Sequence, residues 1–127
     1  NDFRLKREKI ASIYNEEFKN LPIILPPKPI KNSSHSWHLY IIRLSSECKL
    51  NRDDVIDKLF KLGIGCSVHY IPLHNHTYWK NKYRLNQSMF PESQKAFELS
   101  ISLPIYSKMN DIEISKVFST LKKLIKI

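Results

Sequence analysis

The segment 51–74 constrains the fold most, because it encodes a capped helix, a strand and a sharp turn in direct succession. Asn51 is a suitable N-cap, and the two aspartates after it favour the first turn of a helix. Apolar side chains follow at helical spacing, and Gly63 stands where a left-handed residue ends a helix. We therefore predict a helix over 51–62.

A strand is predicted directly after this helix, over 65–71. The alternation that indicates it places Cys66, Val68 and Tyr70 on one side, and Ser67, His69 and Ile71 on the other. Pro72 cannot donate a ladder hydrogen bond and ends the strand. The turn brings His69, Tyr70 and His74 to one edge. Buried strands rarely end in so much imidazole and phenol, whereas sites that hold polar ligands often do.

The rest of the chain completes an α+β pattern. We predict a leading helix over 2–20, a proline-rich extended connector over 21–36, a strand over 37–44 buried on both faces, a polar and aromatic loop over 73–88 that can include a helical part, a short helix over 91–99, a strand over 101–105, and a final helix that starts with a capping box at 110–113. This order predicts a small three-stranded, mostly antiparallel sheet with helices packed on one face. The strand 101–105 is expected to lie antiparallel between the other two.

One face of the predicted sheet stays uncovered by helices. The strand 37–44 presents His38, Tyr40 and Ile42 on one side, so we expect the open face to be aromatic and partly polar. Such a face usually meets another domain or chain. This expectation agrees with a chain from which a larger domain is missing, and with the lack of an initiator methionine at Asn1.

Composition excludes several classes of protein. The 127 residues suffice for one domain, and 42% hydrophobic residues are typical of a globular core. No apolar run reaches the length of about 20 residues that a membrane helix needs. The net charge of +9 suggests nucleic acid as a partner, but the lysines are spread along the chain and form no stripe. Cys48 and Cys66 give no disulfide framework and indicate reduced thiols in a cytoplasmic protein.

Three kinds of catalytic or ligand site can be weighed against the residues. A metal site could use Cys66, His69, His74 and His76, but their ragged spacing lacks the paired short spacings of zinc sites. A cysteine nucleophile lacks an activating helix N-terminus. A phosphate-binding glycine loop is excluded, because the two glycines close a helix and open none. Arg43 could hold a carboxylate, although pairing with an acidic side chain is the preferred interpretation.

An ordered series of motifs resembles the C-terminal part of the sugar aminotransferases called the DegT/DnrJ/EryC1/StrS family. The series covers nearly the whole chain and consists of 37–44, Arg52-Asp53, Gly63-Ile64-Gly65, 69–74, Phe90-Pro91 and 102–106. No single motif is specific, but the order is hard to produce by chance.

The resemblance implies a pyridoxal-phosphate (PLP) enzyme of the aspartate-aminotransferase fold type. Such enzymes move an amino group, usually from L-glutamate, onto a nucleotide-linked keto sugar, and work as homodimers. The whole chain, 1–127, would be the small C-terminal domain, with a leading helix over 1–20, a connector over 21–36 and an α+β core over 37–127. The lysine that binds the cofactor, and most other cofactor contacts, would belong to a larger N-terminal domain. The chain alone is therefore expected to be inactive.

The resemblance also implies a role for the residues at the end of the second predicted strand. By match to the motif, His69, Tyr70 and His74 would lie near the mouth of the active-site cleft and bind substrate. No catalytic, cofactor-binding or metal-binding residue is assigned within this chain. The alternative function is a non-catalytic basic α+β module that binds nucleotides or RNA through the open sheet face.

Overall fold

A computed structural model describes residues 2–126. Its helices and strands are α1 (Asp2–Phe18), β1 (Ile23–Ile24), β2 (Tyr40–Leu44), α2 (Arg52–Lys61), α3 (Thr77–Tyr83), α4 (Pro91–Leu99), β3 (Ser100–Leu103) and α5 (Asp111–Ile125). Short 3₁₀ turns lie at Leu73–Asn75 and Gln87–Met89, within the predicted loop. Within the described part of the chain, no helix is both long enough and apolar enough to cross a membrane.

Three predicted helix ends are confirmed, whereas the leading helix ends at Phe18 and not at residue 20. The Asn51 side chain accepts a hydrogen bond from the backbone N–H of Asp54 at 2.9 Å, which caps α2. Asn110 and Glu113 form both halves of the predicted capping box at the start of α5. Gly63 takes a φ of 74°, as the left-handed residue after a helix should.

The two glycines of the chain provide a matched test of this helix end. Replacing Gly63 with alanine is expected to lower the free energy of unfolding by about 1–2 kcal/mol, because a Cβ is strained at positive φ. The added Cβ would also lie 2.9 Å from Nζ of Lys116. At Gly65 nothing lies within 4 Å, so alanine there should change stability by less than about 0.5 kcal/mol. Urea unfolding of both variants measures the difference, and equal losses would contradict this account.

The sheet is antiparallel, with the strand order β1–β2–β3. The strands β2 and β3 pair with Tyr40 opposite Leu103 and Ile42 opposite Ile101. Ser67 forms a single antiparallel bridge to Ser102, so β3 lies between β2 and the predicted second strand. The expected placement of the third strand is therefore confirmed.

The lengths of three strands differ from the predictions. The segment 65–71 keeps only the bridge at Ser67, and the side chains Val68, Tyr70 and Ile71 that follow it are exposed. The first predicted strand begins at Tyr40, since Trp37 has a φ of 47° that no strand accommodates. The third runs over 100–103 and ends before Pro104. The connector contributes the edge strand β1, which the sequence patterns did not predict.

The core lies on one face of the sheet. Tyr40, Ile42 and Leu44 are buried against α1, α2 and α5, so helices cover one face as predicted. Two details of the prediction are wrong. The strand β2 is buried on one face only, and Tyr40 and Ile42 belong to the covered face. The open face instead carries the alternate residues, half-buried Ile41 and exposed Arg43.

Two buried tyrosines connect the sheet to α1. The Tyr14 hydroxyl donates to the carbonyl of Pro104 at 3.0 Å, and the Tyr40 hydroxyl donates to Oδ1 of Asn15 at 2.7 Å. Their rings meet edge to face, with centroids 5.1 Å apart. Burial raises the pKa of both phenols above the ordinary value near 10.

These raised pKa values predict a loss of stability at alkaline pH. Above pH 10 the unfolded chain ionises its tyrosines, whereas the folded chain keeps Tyr14 and Tyr40 neutral, so the free energy of the unfolded state falls relative to that of the folded state. The two residues together should lower the unfolding free energy by about 1.5 kcal/mol between pH 8 and pH 10.5. Urea unfolding at both pH values measures this loss. The buried Cys66 thiol adds to the total loss, but in the Tyr14→Phe variant the loss should be smaller by about 0.8 kcal/mol, and an undiminished loss would contradict the assignment.

Candidate functional site

The predicted site lies on the segment that leaves the sheet and turns beside α4. His74 is the most enclosed member, with 4% of its surface exposed. Its Nε2 lies 2.9 Å from Oε1 of Gln94, and its ring stacks on Phe90 with centroids 5.0 Å apart. Because an amide oxygen can only accept, the Nε2 of His74 is the donor, and the same Gln94 oxygen also accepts a hydrogen bond from Asn75. His74 therefore anchors this turn to α4.

The other two predicted residues differ from His74 and from each other. Tyr70 is 94% exposed, so its ring and hydroxyl project into solvent. His69 is half-buried, and its Nε2 is enclosed without a hydrogen-bond partner among the described residues. The Nε2 of His76 lies 3.0 Å from the Ile71 carbonyl and closes the turn. The segment thus offers one exposed phenol and one imidazole nitrogen that lacks a partner.

The helix α4, whose Gln94 contacts His74, is itself fixed to the rest of the domain. Arg52, at the start of α2, donates a hydrogen bond to the carbonyl of Phe97 near the end of α4. Its guanidinium also lies over the Phe97 ring, 4.9 Å from the centroid. Arg52 belongs to the Arg-Asp motif of the resemblance. In the structure, Arg52 positions α4 relative to α2.

A groove on the open face of the sheet was not predicted as a site. It has a volume of about 450 Å³, and its lining includes Trp37, His38, Ile41 and Arg43. Trp37 is 3% exposed, and its indole N–H has no partner among the described residues. Within residues 2–126 no acidic side chain pairs with Arg43, so the preferred interpretation of this arginine is not met among these residues. The alternation of apolar side chains in β2 was the signal for this face.

Cysteine and metal chemistry gain no support from the geometry. Burial raises the pKa of the Cys66 thiol to about 11, which keeps the thiol protonated and poorly nucleophilic near neutral pH. In the part of the chain that the structure describes, no three histidine, cysteine or acidic side chains converge closely enough to hold a metal ion.

The described lysines do not fit a PLP site. A lysine that binds this cofactor needs an enclosed position near a group that holds phosphate. Here the lysine side chains lie exposed on the surface, except that of Lys122, which is half-buried and forms an ion pair with Glu17 at 2.8 Å. No step of a PLP reaction is therefore assigned to residues 2–126.

Comparisons with known proteins agree on one family. The sequence profile of the DegT/DnrJ/EryC1/StrS aminotransferase family matches residues 1–122. The protein MJ1066 of Methanocaldococcus jannaschii is 42% identical over 123 residues, which cover 96% of this chain and 32% of that protein. The spore coat polysaccharide biosynthesis protein SpsC of Bacillus subtilis is 29% identical, over 98% of this chain and 33% of that protein.

A solved structure shares the fold as well as the sequence pattern. The PLP form of the putative sugar aminotransferase Spr1654 from Streptococcus pneumoniae superposes with a TM-score of 0.86 at 30% identity. The match covers 96% of this chain and 31% of that one. The chain spans about a third of the length of the curated relatives it matches.

Proposed function

The chain belongs to the DegT/DnrJ/EryC1/StrS aminotransferase family, and on this premise we propose that it is the C-terminal, substrate-side domain of a sugar aminotransferase. The complete enzyme would be PLP-dependent and would transfer an amino group from L-glutamate to a nucleotide-linked keto sugar. The observation that carries the proposal is the family match over residues 1–122 of 127. The PLP form of the similar Spr1654 supports the cofactor.

The proposal assigns the cofactor to another part of the enzyme. A lysine-bearing N-terminal domain would bind PLP, which supplies the electron sink for transamination. The open face of the sheet, with its groove around Trp37 and Arg43, would pack against that domain. This use is supported by apolar side chains on the open face and by an arginine that lacks a partner among the described residues. The complete enzyme would be a homodimer, and the chain alone would be inactive.

Within this chain, the proposed substrate contacts are His69, Tyr70 and His74. The exposed Tyr70 hydroxyl would donate a hydrogen bond to the sugar or to the nucleotide phosphates, and His69, whose Nε2 is enclosed, would contact the substrate through the exposed part of its ring. His74 would act mainly by holding the turn through Gln94. The support for this division is the difference in exposure between Tyr70 and His74.

The product would be an amino sugar for a surface polysaccharide, a lipopolysaccharide or an antibiotic. The name of the similar SpsC, a spore coat polysaccharide biosynthesis protein, supports the first of these. We propose the cytoplasm as the location, and both cysteines are free, as this compartment favours.

An amination assay on the complete enzyme tests the proposal. The enzyme is incubated with PLP, L-glutamate and a panel of nucleotide-linked keto sugars, and mass spectrometry measures the amino sugar and 2-oxoglutarate in equal amounts. The 127-residue chain alone serves as the control and should form neither product. Failure of the PLP-loaded enzyme to aminate any keto sugar, with salt-sensitive RNA binding by the chain alone, would favour the RNA-binding alternative.

A further inference from the structure

Three exposed aromatic rings and a lysine form a surface feature that the proposed function does not yet use. Tyr78, Trp79, Lys82 and Tyr83 all lie on α3, a helix with no buried residue. The rings of Trp79 and Tyr83 stack with centroids 5.8 Å apart and planes 10° from parallel. Tyr78 meets Trp79 edge to face at 5.0 Å. We call these four residues the aromatic platform.

The lysine brings a positive charge over the faces of the rings. Nζ of Lys82 donates a hydrogen bond to the Tyr78 hydroxyl at 2.9 Å and lies 5.2–6.0 Å from the three ring centroids. An ammonium group has three N–H donors, so this contact leaves others for a ligand. The platform therefore combines π faces with a cation.

The charge around the platform selects an anionic ligand. From residue 58 to residue 91 the sequence contains no aspartate or glutamate, whereas Lys80, Lys82 and Arg84 lie on or directly after α3. Exposed aromatic side chains of this kind are usually covered by a partner. A nucleoside diphosphate has both groups that the platform can bind. Its flat base can stack on the rings, and its phosphates can pair with the cations.

The position of α3 connects the platform to the candidate site. The helix begins at Thr77, one residue after the turn 69–76, and contacts the 3₁₀ turn Leu73–Asn75. A ligand that lies along this surface could place its base on the platform and its sugar near Tyr70.

We propose that the aromatic platform binds the base and phosphates of the nucleotide-linked sugar. This inference rests on the proposed function and goes further by naming the residues that hold the nucleotide half of the substrate. The stacking should tolerate different bases, because every base has a π face.

Nuclear magnetic resonance of the 127-residue chain provides the test. The chain has two tryptophans, and only Trp79 is solvent-accessible, with 38% exposed against 3% for Trp37. Titration with uridine diphosphate or thymidine diphosphate should shift the indole N–H signal of Trp79 until saturation and leave that of Trp37 unchanged. Trp79→Ala removes one signal and so assigns both. An absent or unsaturable Trp79 shift would overturn the proposal.

Variants separate stacking from charge. Tyr83→Ala should weaken binding of uridine diphosphate at least fivefold, the effect expected for loss of one stacked ring. Lys82→Gln should weaken the diphosphate and spare uridine. Phe60→Ala is the matched control, because Phe60 is an exposed aromatic residue on α2 and should leave the affinity unchanged. Equal losses in the control and the platform variants would overturn the proposal.

Two other occupants of the platform would be recognised by their own signatures. Much tighter, steeply salt-dependent binding of an oligouridylate would mean RNA. A Trp79 shift that depends on protein concentration without nucleotide would mean a second copy of the chain. Either result overturns the proposal.

Kinetics of the complete enzyme distinguish this inference from the proposed function. Trp79→Ala should raise the KM for the nucleotide sugar at least fivefold and leave kcat nearly unchanged. Unchanged KM in an active enzyme would overturn the inference and leave the proposed function standing. If the enzyme aminates no nucleotide sugar but its chain still binds uridine diphosphate, the proposed function is overturned and nucleotide binding by the platform still stands.

Discussion

Replacing Phe18 with alanine is expected to destabilise the domain by about 3–5 kcal/mol, the usual cost of removing a buried phenylalanine ring. Phe18 is fully buried at the end of α1. Its ring stacks on Tyr14 with centroids 5.4 Å apart and lies 6.4 Å from Tyr40, so its loss opens a cavity between α1 and the sheet. A loss of this size is a large part of the roughly 5–15 kcal/mol that holds a natural domain folded.

The same helix provides the control for this prediction. Phe3 is also a phenylalanine of α1, but 63% of its surface is exposed. Phe3→Ala should change the unfolding free energy by less than about 0.5 kcal/mol. Urea unfolding followed by circular dichroism measures both variants. Similar losses in the two would mean that α1 is not packed on the sheet as described.

Substitutions at the candidate site should act on substrate binding in the complete enzyme. Tyr70→Ala is expected to raise the KM for the nucleotide sugar about 10- to 100-fold, because a hydrogen bond to the phosphate next to the sugar contributes roughly 1.5–3 kcal/mol. His69→Ala should raise the KM by a smaller factor, because the Nε2 of His69 is enclosed. Tyr70→Phe tests whether the hydroxyl carries this effect and should match Tyr70→Ala if it does. Initial rates over a range of sugar concentrations give KM and kcat separately.

His74 should behave differently from Tyr70 under the same assay. Because His74 is buried and anchored to Gln94, His74→Ala is expected to raise KM and to lower the unfolding temperature as well. Tyr106→Phe removes another exposed phenol, one that donates to Glu113, and should leave KM unchanged. Unchanged KM and kcat in the His69 and Tyr70 variants would remove both residues from the site.

Local signals in the sequence predicted the helices well. Capping and helix-ending residues such as Asn51, Gly63 and Asn110 act through bonds to their own neighbours, so their geometry is readable without the rest of the fold. The sheet was harder to predict. Whether Tyr40 or Ile41 faces the helices depends on how β2 meets α1, and apolar residues on both sides of the strand left that choice open.

The candidate site illustrates the same limit. The sequence places His69, Tyr70 and His74 on one short segment, but it does not distinguish the anchored imidazole from the exposed phenol. That distinction depends on Gln94, twenty residues after His74, and on Phe90, which stacks on the histidine. The groove on the open face includes Trp37, which has a left-handed backbone conformation that a bulky residue rarely adopts, so the pattern in β2 indicated the face but not the groove.

The pairing of the first helix with the last affects how the domain can form during synthesis. The helices α1 and α5 are in contact, and Lys122 of α5 binds Glu17 of α1 across 105 positions of sequence. A ribosome that has produced α1 must add about a hundred residues before this partner emerges, at about 5–20 residues per second. For those seconds the side of α1 that packs on α5 has no permanent cover, although β2 can already cover the part around Tyr14 and Phe18. We expect the nascent polypeptide to recruit a chaperone during that interval.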